Sequence, residues 1–297
     1  MTALCDVLCD AATPSISFEF FPPKTDEGER ALWSTIRDLQ PFNPTFVSVT
    51  YGAGGSSRDR TVGITGRIQS ETNMTAMAHL TCVNATAEAV LDVVEELDNA
   101  RVRAIMALRG DPPGGFGAQW EPTPGGFNHA SELVAAIRER ERPDQPFIIG
   151  VAAFPEGHPE SSGLDDSARW LAFKLEQADF AITQMFFDIG HYEDLVMRAS
   201  QYGATKPIIP GIMPPTSASQ ISRMVTMSGG SMPDRLLQTL SSFENPSDQA
   251  SAGIDWATQF AQSLIDAGAP GIHLYTLNKS TASQELVQRL TLPTHDQ

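Results

Sequence analysis

Three polar side chains stand out because of the residues around them. Glu19 sits in F-E-F-F-P-P, an acidic group among aromatics. A carboxyl in such a run must be hydrogen-bonded or protonated if it is buried. Burial raises a carboxyl pKa, so Glu19 is a candidate general acid, with a structural ion pair as the alternative. Asp111 follows Gly110 in A-L-R-G-D-P-P, where the glycine permits a tight turn. Gln184, in I-T-Q-M-F-F-D, is a neutral amide on an apolar run. An amide both donates and accepts hydrogen bonds, which suits the edge of a heterocycle. Two carboxyl groups and an amide converging on one mouth would suit a flat ligand with polar edges.

The elements that must position these groups are short apolar runs alternating with longer amphipathic ones. Strands are predicted at 16–21, 46–51, 76–82, 104–109, 148–154, 181–187, 208–213 and 271–277. Each is short, rich in β-branched or aromatic residues, and bounded by Gly, Pro, Asp or Asn. Helices are predicted at 25–38, 59–70, 86–98, 130–141, 165–178, 191–202, 217–227 and 280–290. In 86–98, Val90, Val93, Val94 and Leu97 mark one helical face. Two more helices, 232–241 and 249–267, fall between the seventh and eighth strands. The class is α/β, and eight such units fit a single (β/α)8 TIM barrel domain over 1–297. Residues 1–14 are expected to form a flexible or short helical segment. The competing architecture is an open doubly wound sheet. On a barrel, the Pro/Gly-rich stretch 112–126 becomes a long loop on the catalytic face.

Composition narrows the function classes. Lys and Arg number 20 against 36 Asp and Glu, for a net charge of −16. No basic run offsets this, which argues against nucleic-acid binding. Cys5, Cys9 and Cys82 make no disulfide framework, so a reducing cytoplasmic compartment is expected. The six histidines show no metal spacing, and no metal site is expected. His79, inside a strand, reads as a core or site-lining residue. The N-terminus lacks the basic region of a signal peptide, and the longest apolar stretch, 147–154, is too short to span a bilayer. The sequons at Asn73, Asn84 and Asn278 therefore carry no meaning. The glycine turn from Gly52 lacks the last glycine and the acidic residue of a dinucleotide fingerprint, and reads as a βα turn.

The segments that carry the polar groups also resemble the bacterial methylenetetrahydrofolate reductase family. They are S-F-E-F-F-P-P-K (17–24), F-V-S-V-T-Y-G-A (46–53), A-H-L-T-C (78–82), A-L-R-G-D (107–111), F-P-E-G-H-P-E (154–160), A-I-T-Q-M-F-F-D (181–188), I-I-P-G-I-M-P (208–214) and Y-T-L-N-K (275–279). The resemblance implies a (β/α)8 barrel that reduces 5,10-methylenetetrahydrofolate to 5-methyltetrahydrofolate with NADH. Glu19 and Asp111 are then catalytic. Glu19 matches the general acid that helps protonate the folate at N10, opening the five-membered ring to a 5-iminium cation. Asp111 matches the carboxylate at the pterin, which stabilises that cation. Gln184 matches the pterin-binding amide, and Tyr275 and Lys279 join it as substrate-binding residues. Lys279 would meet the folate glutamate tail, with a solvated surface lysine as the alternative. Thr50, His79, Arg109, Phe154, His158 and Lys174 fall on cofactor-contact positions.

The chain also departs from the family pattern. The usual member holds FAD, which takes hydride from the nicotinamide and passes it on. The helix after the fifth strand then carries Asp, Asn and Arg toward the flavin; here those positions are Ser167, Trp170 and Phe173. The tyrosine usual before P-E is Phe154, the tyrosine of the long loop is His129, and an aromatic after strand seven is Ala218. A pyrophosphate loses a cationic partner and sugar hydroxyls lose acceptors, at about 1.5–3 kcal/mol per charge-assisted contact. Arg169 compensates only if the register slips, because one residue turns a helical side chain by ~100°. Direct hydride transfer from NADH to the folate iminium, without flavin, is therefore expected. The nicotinamide would then lie against Thr50, His79 and Gln184. The alternatives are the same reaction through bound FAD and a non-catalytic folate-binding paralogue. The expected partners are folate and a nicotinamide nucleotide, with no nucleic acid and no membrane. The sequence does not fix an oligomeric state.

Overall fold

Strand and helix alternate along the chain as the hydrophobic pattern predicts. The computed structural model describes residues 8, 14–51, 55–112, 114–115 and 118–292. The elements are β1 (Ser15–Phe20), α1 (Asp26–Leu39), β2 (Phe46–Val49), α2 (Gly55–Glu71), β3 (Ala76–Thr81), α3 (Ala87–Asn99) and β4 (Ala104–Leu108). There follow α4 (Ala130–Arg140), β5 (Ile148–Ala153), α5 (Leu164–Leu175), β6 (Phe180–Thr183), α6 (Ile189–Gln201), β7 (Ile208–Ile209) and β8 (Gly211–Ile212). The chain continues through α7 (Ala218–Ser228), α8 (Asp234–Ser241), α9 (Pro246–Asp266), β9 (Gly271–Tyr275) and α10 (Thr281–Arg289). The two expected extra helices are α8 and α9.

All ladders are parallel, in the order β7-β6-β5-β4-β3-β2-β1-β9-β8. The strand expected at 208–213 is split at Pro210 into β7, which pairs with β6, and β8, which pairs with β9. Proline has no N–H to give a ladder, so the pairing breaks there. Pro210 still accepts from the His273 N–H at 2.9 Å, and the Gly211 N–H donates to Thr183 Oγ1 at 2.9 Å. The two short pieces thus join β6 to β9 and close the ring. Closure excludes the open doubly wound sheet.

Alternation along each strand sends one set of side chains inward. Phe46, Met77, Met106, Ile148, Phe180, Ile182 and Ile209 form the barrel's own core, together with Leu8. The opposite set, including Phe18, Phe20, Val47, Leu80, Ile105 and Ile149, packs beneath the helices. Helix α3 shows why these helices form. Thr86 caps it by accepting from the Ala89 N–H at 3.2 Å, and Val90, Val93, Val94 and Leu97 are buried. Each such burial stabilises the fold by about 1.5–3 kcal/mol.

The run expected as strand 181–187 leaves the ladder after Thr183. Met185 and Phe187 instead pack with Met213, Ile221 and Leu236 beneath α7 and α8. Cys82 is a buried free thiol, pushed up to about 12 by that burial. Cys5, Cys9 and the start of the Gly52 turn lie outside the described residues, as does most of the segment 1–14. Among the described residues no helix is long and apolar enough to cross a membrane, and no group of side chains has metal-site spacing.

Candidate active site

The C-terminal ends of the strands surround a cavity of about 610 Å³. Ten of the eleven expected site residues line it: Glu19, Thr50, His79, Arg109, Asp111, Phe154, His158, Lys174, Gln184 and Tyr275. Lys279 does not. It is exposed, because Leu277 and Asn278 adopt left-handed backbone (φ 50° and 57°) and turn the chain away. The Asn278 side chain secures that turn by bonding both backbone groups of Phe21.

Glu19 lies on the inward face of β1 and is only 6% exposed. Two imidazoles flank its carboxylate. His273 Nε2 is 3.4 Å from Glu19 Oε2, and His79 Nε2 is 3.3 Å away without hydrogen-bond alignment. The second nitrogen of His273, Nδ1, lies 2.8 Å from Ser17 Oγ. Phe46 stacks on the His273 ring at 5.6 Å and 17°. Burial holds His79 below the ordinary histidine range, with Glu19 opposing the shift and His273 adding to it. Sequence reasoning missed His273. Strand parity carried the signal, since Ser17 and Glu19 on β1 pair in register with His273 and Tyr275 on β9.

Past β4, Gly110 takes φ +84°, and a Cβ there would meet Val83 Cγ1 at 2.8 Å. The turn presents Arg109 and Asp111. Partial burial raises the Asp111 carboxyl above its ordinary value, with Arg109 pulling it back. Arg109 is already engaged: its two terminal nitrogens donate to the two oxygens of Glu160, each at 2.7 Å. Its guanidinium also lies 4.6 Å over the Trp120 ring. Glu160 was quoted in the sequence without a role, because the pairing spans two strand–loop units.

Gln184 Oε1 accepts from the Met185 N–H at 2.9 Å, which leaves the NH2 end as its donor. Tyr275 donates to the Thr183 carbonyl at 2.6 Å, and burial raises its hydroxyl well above the ordinary range. Gly211 makes room for this bond. A Cβ there would meet Thr183 O at 2.4 Å and the Tyr275 hydroxyl at 2.5 Å.

Helix α5 forms the far wall. Ser167 is buried and accepts from the His158 N–H at 3.2 Å. Trp170 lines the cavity, whereas Phe173 does not. Trp170 and Phe173 are 50% and 46% exposed, in an edge contact at 5.8 Å and 86°. Arg169 is outside the lining and pairs with Asp166 at 2.7 Å, so it does not replace a lost cation. Lys174 donates to the Ala152 carbonyl, and burial lowers its amine to about 8. Ala218 starts α7 and is not part of the lining.

The family model "Methylenetetrahydrofolate reductase" matches residues 5–291. The chain is 35% identical over 278 residues to the Escherichia coli 5,10-methylenetetrahydrofolate reductase, covering 93% of this chain and 90% of that one. It is 34% identical over 289 residues to the Arabidopsis thaliana "Methylenetetrahydrofolate reductase (NADH) 1", covering 94% and 48%. It spans about half of the plant relative's length, and 46% of that of a Schizosaccharomyces pombe relative. A solved Clostridium thermocellum protein, titled as binding two copies of 5-methyl-5,6,7,8-tetrahydrofolic acid, superimposes with a TM-score of 0.63, covering 96% of this chain and 97% of that one. At 14% identity that likeness speaks for the barrel alone. Family model and bacterial relatives agree: the chain belongs to the methylenetetrahydrofolate reductase family of oxidoreductases.

Proposed function

We propose that this chain reduces 5,10-methylenetetrahydrofolate to 5-methyltetrahydrofolate, taking hydride directly from NADH. The observation that carries the reading is Glu19, a buried carboxyl between two imidazoles in a mouth that Asp111 and Gln184 also line. Glu19 delivers a proton to N10 of the folate, the N10–methylene bond breaks, and a 5-iminium cation forms. Asp111 stabilises that cation across the mouth. His79, kept neutral by burial, adds no second positive charge beside it. Gln184 fixes the pterin edge with its amide. Hydride then passes to the methylene carbon, which requires the reacting atoms ~3–3.5 Å apart. One proton and one hydride are consumed, and NAD+ leaves with the methylated folate. Lys279, exposed beyond the mouth, suits the outer end of the folate tail.

The wall residues do not fit a resident FAD. Arg109 is held by Glu160, Arg169 points its charge to Asp166, and the Ser167 hydroxyl, which accepts from the His158 N–H, brings no positive charge to a phosphate. Among the described lining residues, Lys174 is the other Lys or Arg. A prosthetic group must stay through every cycle, whereas a nicotinamide nucleotide must leave and needs fewer anchors. The name of the Arabidopsis relative supports NADH as the donor. The reading includes a single domain over 1–297 and a reducing cytoplasmic setting, in keeping with the free thiol of Cys82.

The test is NADH oxidation by flavin-free protein on adding 5,10-methylenetetrahydrofolate. A rate that needs no FAD and disappears in Glu19→Gln is expected. A rate that appears only with added FAD would overturn direct transfer but keep the reaction. Folate binding with no turnover under either condition would make the chain a binding paralogue.

A further inference from the structure

Asp111 has no hydrogen bond or ion pair among the described residues, although Arg109, two positions earlier, lines the same cavity. A guanidinium that close is the natural bidentate partner of a carboxylate. Here it is turned elsewhere. Both terminal nitrogens of Arg109 donate to Glu160, and the Trp120 ring covers the guanidinium at 4.6 Å. The Arg109 side chain is left only 16% exposed.

Trp120 is carried there by the long loop 112–126. The far end of that loop is pinned: the Gly125 carbonyl accepts from the Ala87 N–H at 2.8 Å, and a Cβ on Gly126 would meet the Ala85 carbonyl at 2.5 Å. The indole N–H finds no hydrogen-bond partner among the described residues, so what the ring contributes is its face. A cation within about 6 Å of an indole face is attracted by the ring's quadrupole.

We propose that Trp120 is a positioning residue for the reduction: with Glu160 it clasps Arg109 and keeps the guanidinium off Asp111, so that the carboxylate meets the folate cation unpaired. The proposal rests on the reading of Asp111 as the group that stabilises that cation. A carboxylate already neutralised by two N–H bonds has little left to offer a developing positive charge. Held at Glu160, Arg109 still acts across the gap, opposing the rise that burial gives the Asp111 carboxyl. It favours the ionised form without covering it. The other cationic groups of this wall turn away: His158 and His129 face Glu160, and Lys174 donates to the Ala152 carbonyl.

The test uses Trp120→Ala, with Trp120→Phe as the conservative variant. At saturating NADH and a pH well above the carboxylate range, Trp120→Ala should lower kcat about tenfold, less than the roughly 10²–10³-fold lost when a stabilising group is removed outright. Trp120→Phe should recover most of that. Adding Arg109→Gln to Trp120→Ala should raise kcat again, because no guanidinium is then left to pair with Asp111. Losses that add, or an unchanged kcat in Trp120→Ala, would overturn the clasp. A second measurement needs no turnover. The Asp111 carboxyl, followed by carbon-13 NMR and assigned with Asp111→Asn, should titrate lower in Trp120→Ala than in the wild type, since a paired guanidinium favours the carboxylate. An unmoved titration overturns the clasp. A lowered titration, with no NADH oxidation by the wild type, would sink the functional reading and leave the clasp standing.

Discussion

His273 reaches Glu19 and Ser17 with its two ring nitrogens, at 3.4 Å and 2.8 Å. The acid is therefore held by an imidazole whose own orientation is set by a hydroxyl two residues before the acid on β1. This makes His273 a positioning residue. His273→Asn should lower kcat with little change in the KM for NADH or in the denaturation midpoint. A fall in kcat that only follows a loss of stability would reduce His273 to a packing partner of Phe46.

Glu19→Gln removes the proton but keeps the shape. General acid catalysis contributes about 10²–10⁴-fold, so kcat/KM should fall within that range. Thermal unfolding should change little, because the amide can still reach both imidazoles. Activity near wild type would mean that the proton comes from elsewhere.

Lys174 links nucleotide affinity to pH. Burial holds its amine at about 8 in the folded chain against 10.5 in an exposed lysine. Between these values the unfolded chain binds more protons, so this group makes stability rise with pH there. Anion affinity moves oppositely, because the amine loses its charge as pH climbs through about 8. The KM for NADH should climb above that pH in the wild type and stay flat in Lys174→Gln. Parallel pH profiles for the two would remove Lys174 from the nucleotide site.

Glu160 competes with any anion for Arg109. Neutralising it in Glu160→Gln should free the guanidinium and lower the KM for NADH a few-fold at low salt. The gain should shrink as ionic strength rises, because the pair sits at a solvent-exposed rim. A higher KM would show that Glu160 instead contacts the nucleotide.

Gly211→Ala should be destabilising by about 1–3 kcal/mol, the usual range for forcing atoms into a packed interior. Its Cβ would collide with the Thr183 carbonyl and the Tyr275 hydroxyl. Denaturant midpoints would measure the loss. An unchanged midpoint would mean that β8 can shift without disturbing that bond.

Much of this was legible in the sequence, because parallel strands covered on both faces read as short apolar runs. Strand seven misled, since I-I-P-G-I-M is apolar throughout while Pro210 denies one ladder bond. Q-M-F-F misled in the same way: hydrophobicity does not distinguish barrel core from the cluster beneath α7 and α8. Glu19, Asp111 and Gln184 were visible as polar groups at strand ends. His273 and Glu160 were not, because their meaning lies in pairings 254 and 51 residues long. Lys279 lies outside the cavity lining for a local reason, the two left-handed residues before it, which its sequence neighbours do not announce.

The β1–β9 ladder carries one more consequence. Residues near the start of the chain acquire their neighbours from near its end, so Glu19 meets His273 only when the ring shuts. Parallel pairing over such a separation is slow compared with helix formation. During synthesis the acid would be made long before its imidazole. On refolding, the helical far-ultraviolet signal should return first and turnover should follow in a single later phase, because reaction competence arrives with closure rather than strand by strand.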